Sequence, residues 1–378
     1  YQVCGYDIDQ ERVAILQQGR SYLCNIDSEW ISKAVGEGRF QPSAEDAVLA
    51  TSDAVILCVP TPLTATREPD LSFVQAATAQ VANQLRPGQL IVLESTTYPG
   101  TTRQIVLPLL EATGLSQGED YFVAYSPERE DPGNAHFQTH QIPKLVGGID
   151  EASLRLAQRL YEQAFQTVIP VASCEIAEAA KLLENTYLAV NIVLVNEFKC
   201  VLDGLGIYVW EVIRAAATKP FGFQPFYPGP GVGGHCIPVD PHYLAWLARA
   251  QGFPTRLVEQ AIAANRDMPC YVYRKVEQAL RGRGVSLNGS RICVLGVAYK
   301  RGIGDVRESP SLHLIRLLRE SGAEVSYSDP FVPALNGLPK DETAEMTSQI
   351  LSAEFISGND CLVVVTDHRE VDYADVAR

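Results

Sequence analysis

The stretch SDAVILCVPTPLTATREPDLSFVQAATAQVANQLRPGQLIVLEST, residues 52–96, decides the fold predicted for this chain. Two short apolar runs, AVILCV and LIVLEST, lie on either side of the helical pattern DLSFVQAATAQVANQL. Strands that are apolar along their whole length are covered on both faces, which is typical of parallel sheets. An amphipathic helix between two such strands forms a βαβ unit. The stretch therefore predicts one repeat of a doubly wound α/β domain.

The same alternation continues on both sides of this stretch. Before it come QVCGYDID and the helical ERVAILQQG, and after it come the strand-like DYFVAYSPER and IPKLVGG and the helical EASLRLAQRLYEQAF. Near the carboxyl end, the pattern returns in SRICVLGVAYK, SPSLHLIRLLRESGAEVSYSDP and DCLVVVTDH. We therefore predict an α/β fold with two Rossmann-like doubly wound domains.

A different pattern separates these two α/β regions. Residues 174–217 are rich in Ala, Leu, Val and Glu, contain no proline and have glycine only at positions 204 and 206. A helix of this length that is apolar on more than one face needs cover beyond its own domain. We predict a long central helix that joins the two domains and builds a dimer interface. The predicted domains are a Rossmann domain over 1–172, a helical dimerisation domain with a Gly/Pro-rich loop over 173–270, and a second Rossmann-like domain over 271–378.

Composition and charge limit the class of protein. The chain has 378 residues, which suits two or three domains of about 100–200 residues each. Its net charge of −14 argues against a general nucleic-acid binder, since that function needs clustered Lys and Arg. A few local cations would still suffice for an anionic small molecule. No apolar run approaches the roughly 18 residues of a membrane span, and no secretory signal precedes the first strand, so we expect a cytoplasmic protein without a membrane partner.

The nine cysteines are an odd number and include no C-x-x-C pair, so neither a disulfide framework nor a zinc module is expected. Most lie in apolar runs, where a small buried side chain is the default interpretation. Cys236 differs, because it lies in FYPGPGVGGHCIPVDP, residues 226–241, where glycines admit a ligand and prolines stiffen the loop. Cys236 is a candidate nucleophile. An unreactive loop thiol remains the alternative, and adjacency to His235 does not establish a Cys–His pair.

Polar turns follow three of the predicted strands. They are CVPTP at 58–62, ESTTYPGTT at 94–102 and YSPERED at 125–131, the last of which contains Glu128. Ligands of open α/β sheets bind at the carboxyl ends of the strands, so these turns are candidate cofactor contacts and Glu128 is a candidate acid or base. The alternatives are ordinary loops and a solvated carboxylate.

Asp7, after VCGY, has the position of the acid that binds the adenosine ribose in a Rossmann unit, and Arg12 follows it at a helical offset. The G-x-G-x-x-G phosphate loop that normally precedes this acid by about 20 residues is absent. If the sequence lacks its first strand and loop, Asp7 is the ribose ligand. The alternative is a helix N-cap.

Two further pairs are spaced by four residues. Lys181 and Asn185 share one face of the predicted central helix, and burial of Lys181 in AEAAKLL would lower its pKa toward proton chemistry. The alternative is a lysine whose ammonium reaches solvent along an apolar surface. His136 and His140 have a metal-like spacing, but without an intervening Glu or a third ligand nearby we expect no metal site.

Taken together, these segments resemble the UDP-glucose/GDP-mannose dehydrogenase family, and most closely its branch that oxidises UDP-N-acetylhexosamines. The resemblance covers essentially the whole chain and depends on ordered motifs: VPTPL, ESTTYPGTT, SPERxDPGN, AExxKLxEN, NIxLVNE, TKPFGF, FYPGPGVGGHCIPVDPxYL, GVAYKxxxxDxRESP and TDH. It implies oxidation of the C6 alcohol of UDP-GlcNAc or UDP-ManNAc to a carboxylate with two NAD+ and one water, for the synthesis of polysaccharide precursors. It also implies a homodimer or a higher homo-oligomer.

The resemblance also implies residue roles. Cys236 would be the nucleophile of a thiohemiacetal and thioester route. Lys181 and Asn185 would stabilise oxyanions, and Lys181 would also move protons. Asp240 would act through water, and Glu128 would activate the hydrolytic water. Thr96 would lie near C6 and the cofactor. The NAD-binding candidates are Asp7, Arg12, Pro60, Thr61, Thr97 and Arg307. The UDP-sugar candidates are Phe226, Tyr227, Gly229, Gly231, Gly233 and Lys300.

Three departures from the family pattern limit what the resemblance implies. The phosphate loop, about 25–30 residues of the usual Rossmann start, is missing. Leu188 stands where arginine is expected in many relatives, and Tyr208 stands where an acid is common. A UDP-glucose 6-dehydrogenase and a non-catalytic nucleotide-sugar-binding protein remain alternative interpretations, and the sequence leaves the gluco or manno configuration of the sugar open.

Overall fold

The computed structural model describes residues 1–23, 26–131, 137–338 and 341–377, without the side chains of 341–344. The chain divides into two compact units, residues 1–184 and 185–378. No helix among these described residues is long and apolar enough to span a membrane.

The first unit alternates strands and helices along the chain. Its elements are β1 (Val3–Tyr6), α1 (Gln10–Gln17), α2 (Ser28–Gly36), β2 (Phe40–Ser43), α3 (Ala47–Thr51), β3 (Ala54–Leu57), α4 (Ser72–Gln84), β4 (Gln89–Leu93), a π-helical turn (Thr102–Val106) that leads into α5 (Leu107–Glu111), β5 (Tyr121–Tyr125), a 3-10 turn (Thr139–Gln141), β6 (Lys144–Gly148), α6 (Glu151–Tyr161), β7 (Val168–Val171) and the start of α7 (Cys174–Gly204). The strands form a parallel pair, β1 with β2, and a five-stranded sheet in the order β3-β4-β5-β6-β7.

Strand β4 shows why this sheet is covered on both faces. Its side chains alternate in direction, so Ile91 and Leu93 join one apolar core while Leu90 and Val92 join another. The first core includes residues of α4 and α5, and the second includes Ala157 of α6. The five-stranded sheet therefore has helices on both faces, as the apolar strands predicted.

Strand β6 is an exception to the parallel order of the five-stranded sheet. It runs antiparallel to β5, with Ala124 opposite Gly148, whereas the β3, β4 and β5 neighbours and the β6 and β7 pair are parallel. A parallel neighbour would need a crossover, usually a helix, on the far side of the sheet. In the described part of the 126–143 connection there is only the 3-10 turn. One end of β6 consequently lies beside the carboxyl end of β5.

The second unit begins within α7 and contains the remaining elements. They are α8 (Val209–Ala216), α9 (Asp240–Ala250), α10 (Arg256–Gly282), β8 (Arg291–Leu295), α11 (Pro310–Glu320), β9 (Glu324–Ser328), β10 (Ala334–Leu338), β11 (Asp341–Thr347), α12 (Ala353–Ser357), β12 (Cys361–Val364) and α13 (Tyr373–Val376). Strands β12, β8 and β9 form a parallel sheet in that order, and β10 and β11 form an antiparallel pair. Helices α10 and α11 contribute Leu280 and Leu314 to the same core as Ile292 of β8.

The long helix α7 confirms the predicted central helix but is shorter than the predicted 174–217. It ends at Gly204, and α8 starts separately at Val209. The Ile207 N–H donates to the Leu202 carbonyl at 2.9 Å, and the Gly206 N–H donates to the Asp203 carbonyl at 3.2 Å. This is a Schellman cap, which needs a left-handed residue, and Gly206 supplies it with φ of 68°.

Candidate active site

Asp7 follows β1 and begins the turn into α1. Its carboxylate accepts the Asp9 N–H at 2.9 Å and lies 3.8 Å from the Arg12 guanidinium. The N-cap of α1 is Asp9, which accepts the N–H groups of Glu11 and Arg12. The capping alternative for Asp7 is therefore wrong, and its carboxylate stands at the strand end beside an exposed arginine.

The turns after β3 and β4 are joined by hydrogen bonds. The Ser95 hydroxyl donates to the Val59 carbonyl at 2.7 Å, which holds the segment with Pro60 and Thr61 against the segment with Thr96 and Thr97. Pro60 is exposed, and Thr61 and Thr96 are half-buried. Thr97 is fully buried, and its Oγ1 has no hydrogen-bond partner among the residues that the structure describes.

Glu178 on α7 anchors the segment that follows these turns. Its buried carboxylate accepts the Gly100 N–H at 2.6 Å, the Thr102 N–H at 2.9 Å and the Thr102 hydroxyl at 2.7 Å. Burial raises the pKa of Glu178 although these donors oppose the shift. Lys181 lies three residues further along the helix and is 7% exposed. From the sequence, Glu178 is named only within a motif and is given no role. Its spacing from Lys181, less than one helical turn, was the signal that could have identified it.

Glu128 lies just beyond β5 and is held from three directions. Its Oε1 accepts the N–H groups of Arg129 and Glu130, both at 2.7 Å, and its Oε2 accepts from Lys144 Nζ at 3.1 Å. Burial alone would raise the pKa of Glu128, but the ammonium and the two N–H groups outweigh it, so this pKa lies below its ordinary value. The carboxylate is consequently charged at neutral pH. Sequence reasoning did not single out Lys144.

In the second unit, the structure brings Asn185, Cys236 and Asp240 together. The Asn185 Nδ2 donates to Asp240 Oδ2, and the two residues are 6% and 3% exposed. The Asp240 N–H donates to the Cys236 carbonyl at 2.8 Å, and the Val239 N–H donates to the same oxygen at 3.0 Å. The half-buried Cys236 thus occupies the turn that leads directly into α9.

Arg307 lies beside the cysteine loop, although it was predicted as a cofactor ligand. Its carbonyl accepts the Gly234 N–H at 2.9 Å, and its Nε lies 3.0 Å and 2.9 Å from the two carboxylate oxygens of Asp305. The hydrogen bonds with Asp305 are the main cause that raises the pKa of Arg307, and the charge of Cys236 adds to it. A cation therefore stands near the thiol.

The glycine loop has two kinds of glycine. Beyond Gly229 Cα there is open space, and its N–H donates to Asn196 Oδ1 of α7 at 2.9 Å. A Cβ on Gly233 would instead meet the Tyr299 Cβ at 2.7 Å and the Glu308 carbonyl at 2.8 Å. Gly233 thus serves close packing within the protein. Gly231 precedes Val232, whose N–H donates to Asn265 of α10 at 2.7 Å.

The aromatic residues at the start of this loop contact other aromatic rings. Phe226 meets Tyr187 edge to face at 5.8 Å between ring centroids. Tyr227 stacks on Trp210 at 5.8 Å and remains 54% exposed. Both contacts hold the loop on helices of the second unit, α7 and α8.

Lys300 is half-buried in the turn after β8, and a buried network holds that turn. Asp329 accepts the N–H groups of Val297 and Ala298 at 2.7 and 3.0 Å. His368 Nε2 lies 3.1 Å from Asp329 Oδ2, and its Nδ1 accepts the Gly302 N–H at 3.1 Å. Since Nδ1 is an acceptor, the proton of this buried imidazole is on Nε2 and is donated to Asp329.

The two histidines with a metal-like spacing are described only in part. His140 is exposed in the 3-10 turn, and His136 lies outside the described residues. Within the described ranges, no group of three His, Cys, Asp or Glu side chains could hold a metal ion. The eight described cysteines are free, and burial raises the pKa of Cys293 in β8 to about 11, as expected for a core thiol.

Comparison with known proteins identifies the chain. Three models of the UDP-glucose/GDP-mannose dehydrogenase family match in chain order: the NAD binding domain over residues 1–165, the central domain over 175–267 and the UDP binding domain over 293–378.

Relatives align along most of the sequence. A UDP-N-acetyl-D-glucosamine 6-dehydrogenase of Pseudomonas aeruginosa is 34% identical over 88% of this chain and 78% of its own length. A UDP-N-acetyl-D-mannosamine dehydrogenase of Pyrococcus horikoshii is 34% identical over 98% of this chain and 84% of its own. A solved structure of the UDP-D-ManNAc dehydrogenase from Pyrococcus horikoshii matches with a TM-score of 0.89 and 31% identity, covering 100% of this chain and 87% of that one. The chain belongs to the UDP-glucose/GDP-mannose dehydrogenase family.

Proposed function

We propose that this protein is an NAD-dependent 6-dehydrogenase of a UDP-N-acetylhexosamine, UDP-GlcNAc or UDP-ManNAc. It oxidises the C6 alcohol to a carboxylate and supplies a UDP-uronic acid for polysaccharide synthesis. The observation that carries the proposal is the arrangement around Cys236, whose carbonyl accepts the Asp240 N–H at 2.8 Å while Asn185 donates to the Asp240 carboxylate. A thiol on a turn whose backbone is hydrogen-bonded to Asp240, one member of a buried amide–carboxylate pair, suits covalent catalysis.

The residues at the strand ends of the first unit fit NAD. The buried Thr97 hydroxyl, without a partner among the described side and main chains, suits a ligand atom, and Asp7 stands where a ribose-binding acid belongs. We assign Asp7, Arg12, Pro60, Thr61 and Thr97 of the first unit, and Arg307 of the second, to its binding. When bound, NAD+ accepts a hydride from C6 in each of the two oxidations.

The overall reaction is R–CH2OH + 2 NAD+ + H2O → R–COO− + 2 NADH + 3 H+. The first oxidation gives the C6 aldehyde. The Cys236 thiol then adds to the aldehyde carbon, so that a C–S bond forms and the thiol proton passes to the oxygen. Loss of a second hydride and the hydroxyl proton converts this thiohemiacetal to a thioester. Water replaces the sulfur and releases the carboxylate and the thiol.

Charge that develops on the C6 oxygen needs nearby donors. The Lys181 ammonium and the Asn185 amide stabilise the oxyanions, and Lys181 also takes the alcohol proton. Thr96 contributes a hydroxyl near C6, and Asp240 acts through water. Glu128, charged at neutral pH, activates the hydrolytic water.

The UDP-sugar is assigned to the second unit. The loop with Phe226, Tyr227, Gly229, Gly231 and Gly233 follows the sugar, and Lys300 supplies a cation for a diphosphate or sugar oxygen. The match of residues 293–378 to a UDP binding domain supports this assignment. The names of relatives that are 34% identical support an N-acetylated sugar.

We also propose a domain organisation and an assembly. The NAD-binding domain spans 1–172, the helical dimerisation domain spans 173–270, and the UDP-sugar domain spans 271–378. The protein works in the cytoplasm as a homodimer or higher homo-oligomer, with α7 in the interface. Exposed Leu194 and Phe198, which are 49% and 54% accessible, support this interface.

A substrate panel tests the proposed function. The purified protein is supplied with NAD+ and UDP-GlcNAc, UDP-ManNAc or UDP-glucose in turn, and NADH and sugar acid are measured. We expect kcat/KM for one N-acetylated sugar to exceed that for UDP-glucose by at least about tenfold, because a pocket built for the acetamido group rejects its absence. Preference for UDP-glucose would contradict the substrate assignment. Binding of all three without NADH would favour a nucleotide-sugar-binding protein.

A further inference from the structure

A buried lysine connects two carboxylates in the first unit. Lys144 starts β6, which runs antiparallel to β5, so it lies beside the carboxyl end of β5 where Glu128 is found. The Lys144 side chain is 3% exposed. Its Nζ is 3.1 Å from Glu128 Oε2 and 3.3 Å from Glu94 Oε1. Burying a lysine charge this deeply costs free energy unless the charge is paired, as it is here.

Both oxygens of Glu128 are engaged. Two backbone N–H groups, of Arg129 and Glu130, bind Oε1, while Lys144 binds Oε2. Three donors fix the rotation of the carboxylate and leave one lone pair of Oε2 for a further ligand. The Glu128 side chain retains 45% exposure, so water reaches it.

The Lys144 ammonium also contacts groups other than Glu128. Glu94, directly after β4, accepts the Tyr161 hydroxyl of α6 as well as the Lys144 ammonium. The ammonium also lies 5.3 Å from the centroids of the Tyr161 and Phe165 rings, a cation–π distance. The ammonium therefore has little freedom to move.

Among the described residues of the first unit, other ionisable groups also lie near this cluster. The Cys58 thiol after β3 lies 3.9 Å from Glu94 Oε2. The Arg129 guanidinium pairs with Glu184 of α7 at 2.8 Å. Two carboxylates, Glu94 and Glu128, thus share one ammonium, and the pKa of Glu128 is nonetheless lowered against its burial.

We propose that Lys144 is a positioning residue for the hydrolytic step, holding the Glu128 carboxylate charged and in one orientation while Glu94 holds Lys144. The inference rests on the proposed function. In the step, the water oxygen bonds to the thioester carbon, the C–S bond breaks, and the electron pair leaves with the Cys236 sulfur. The water proton passes to Glu128 and then to solvent. Lys144 transfers no proton.

The test compares Lys144→Met with Lys144→Arg in the full-length protein, using the sugar with the highest turnover. Release of sugar acid and formation of NADH are followed separately as a function of pH. Without the ammonium, burial raises the pKa of Glu128, so the acid limb of sugar-acid release moves to higher pH by about 1–3 units in Lys144→Met. The two NADH per site still form in a burst, because the oxidations do not use Glu128. Lys144→Arg keeps the acid limb near that of the wild type.

Two further variants separate this role from a structural one. Lys144→Met leaves Glu94 buried without its cation, which destabilises the fold. The double variant Glu94→Gln/Lys144→Met removes both charges and should restore folding. Its acid limb should remain shifted to higher pH, because Glu128 still lacks the ammonium. Glu94→Gln alone frees Lys144 for Glu128 and moves the limb to lower pH. If the wild type turns over normally and the folded double variant has its acid limb at the wild-type pH, the role of Lys144 is wrong while the proposed function stands. Absence of NADH from the wild type with every UDP-sugar overturns the proposed function, and this inference with it.

Discussion

At the scale of single residues, the buried hydrogen bond between Asn185 and Asp240 is the contact on which the cysteine site depends. The two side chains are 6% and 3% exposed. Removing one partner takes this hydrogen bond away from the other in the interior, which costs on the order of 1–3 kcal/mol. Removing both at once costs less than the sum of the two single removals, because the hydrogen bond between them is lost only once.

A double-mutant cycle with Asn185→Leu and Asp240→Leu tests this contact. We expect a coupling free energy of about 1–3 kcal/mol in urea unfolding. The matched control is the surface pair of Gln158 on α6 and Glu162 at its C-cap, joined by a 2.8 Å hydrogen bond, whose coupling should be about 0.2–0.5 kcal/mol. Equal coupling in the two cycles would show that the buried bond is no stronger than a surface contact.

Some site residues could be predicted from the sequence, and others could not, for a physical reason. Cys236 stood out because glycines and prolines around it are visible along the chain, and Lys181 and Asn185 stood out by helical spacing. Lys144 and Glu94 did not, because their contact requires β4, β5 and β6 to be adjacent with β6 reversed. Local periodicity contains no information about strand direction.

At the scale of elements, the glycine loop serves packing as well as ligand access. A Cβ at Gly233 would lie 2.7 Å from Tyr299 Cβ and 2.8 Å from the Glu308 carbonyl, whereas Gly229 faces open space. We expect Gly233→Ala to lower the free energy of unfolding by about 1–3 kcal/mol, because the loop must move away from the turn after β8.

Gly229→Ala is the matched control in the same loop. It should change the free energy of unfolding by less than about 0.5 kcal/mol. Its effect on KM then reports directly on contact with the UDP-sugar, free of a folding defect. Equal destabilisation by both substitutions would contradict the packing role of Gly233.

Element types were predictable here, but their ends and directions were less so. The apolar runs predicted β3 to β6 of the five-stranded sheet and all of β8, β9 and β12, but not β7, and the proline-free run predicted α7. The predicted continuation of α7 to residue 217 was wrong, because the Schellman cap at Gly206 ends the helix where composition still favours it. The antiparallel direction of β6 was not predicted, because local sequence patterns do not show the path of the connection that precedes this strand.

At the scale of the whole molecule, the exposed apolar stripe on α7 predicts self-association. Leu194, Phe198 and Val201 of α7, and Leu205 directly after its end, follow one another at helical spacing and are 49%, 54%, 63% and 67% exposed. The proposed oligomer buries this stripe. Leu194→Glu/Phe198→Glu should therefore shift the protein to a smaller species in sedimentation velocity, because charges in an apolar interface are not paired.

Ile350→Glu provides the control for that shift. Ile350 is 87% exposed on a loop before α12, away from the stripe, and its substitution should leave the sedimentation coefficient unchanged. A wild-type protein that sediments as a monomer, or a stripe variant that sediments like the wild type, would contradict the proposed interface.

In the proposed function, Cys236 carries the second oxidation of one sugar carbon. The most direct measurement is the number of NADH molecules formed per sugar consumed, in the wild type and in Cys236→Ala, with the sugar acid quantified in parallel. We predict two NADH and one sugar acid per sugar for the wild type. Cys236→Ala should form at most one NADH per sugar and no sugar acid, since without the thiol no thioester forms. Two NADH and a full yield of acid from Cys236→Ala would contradict the account.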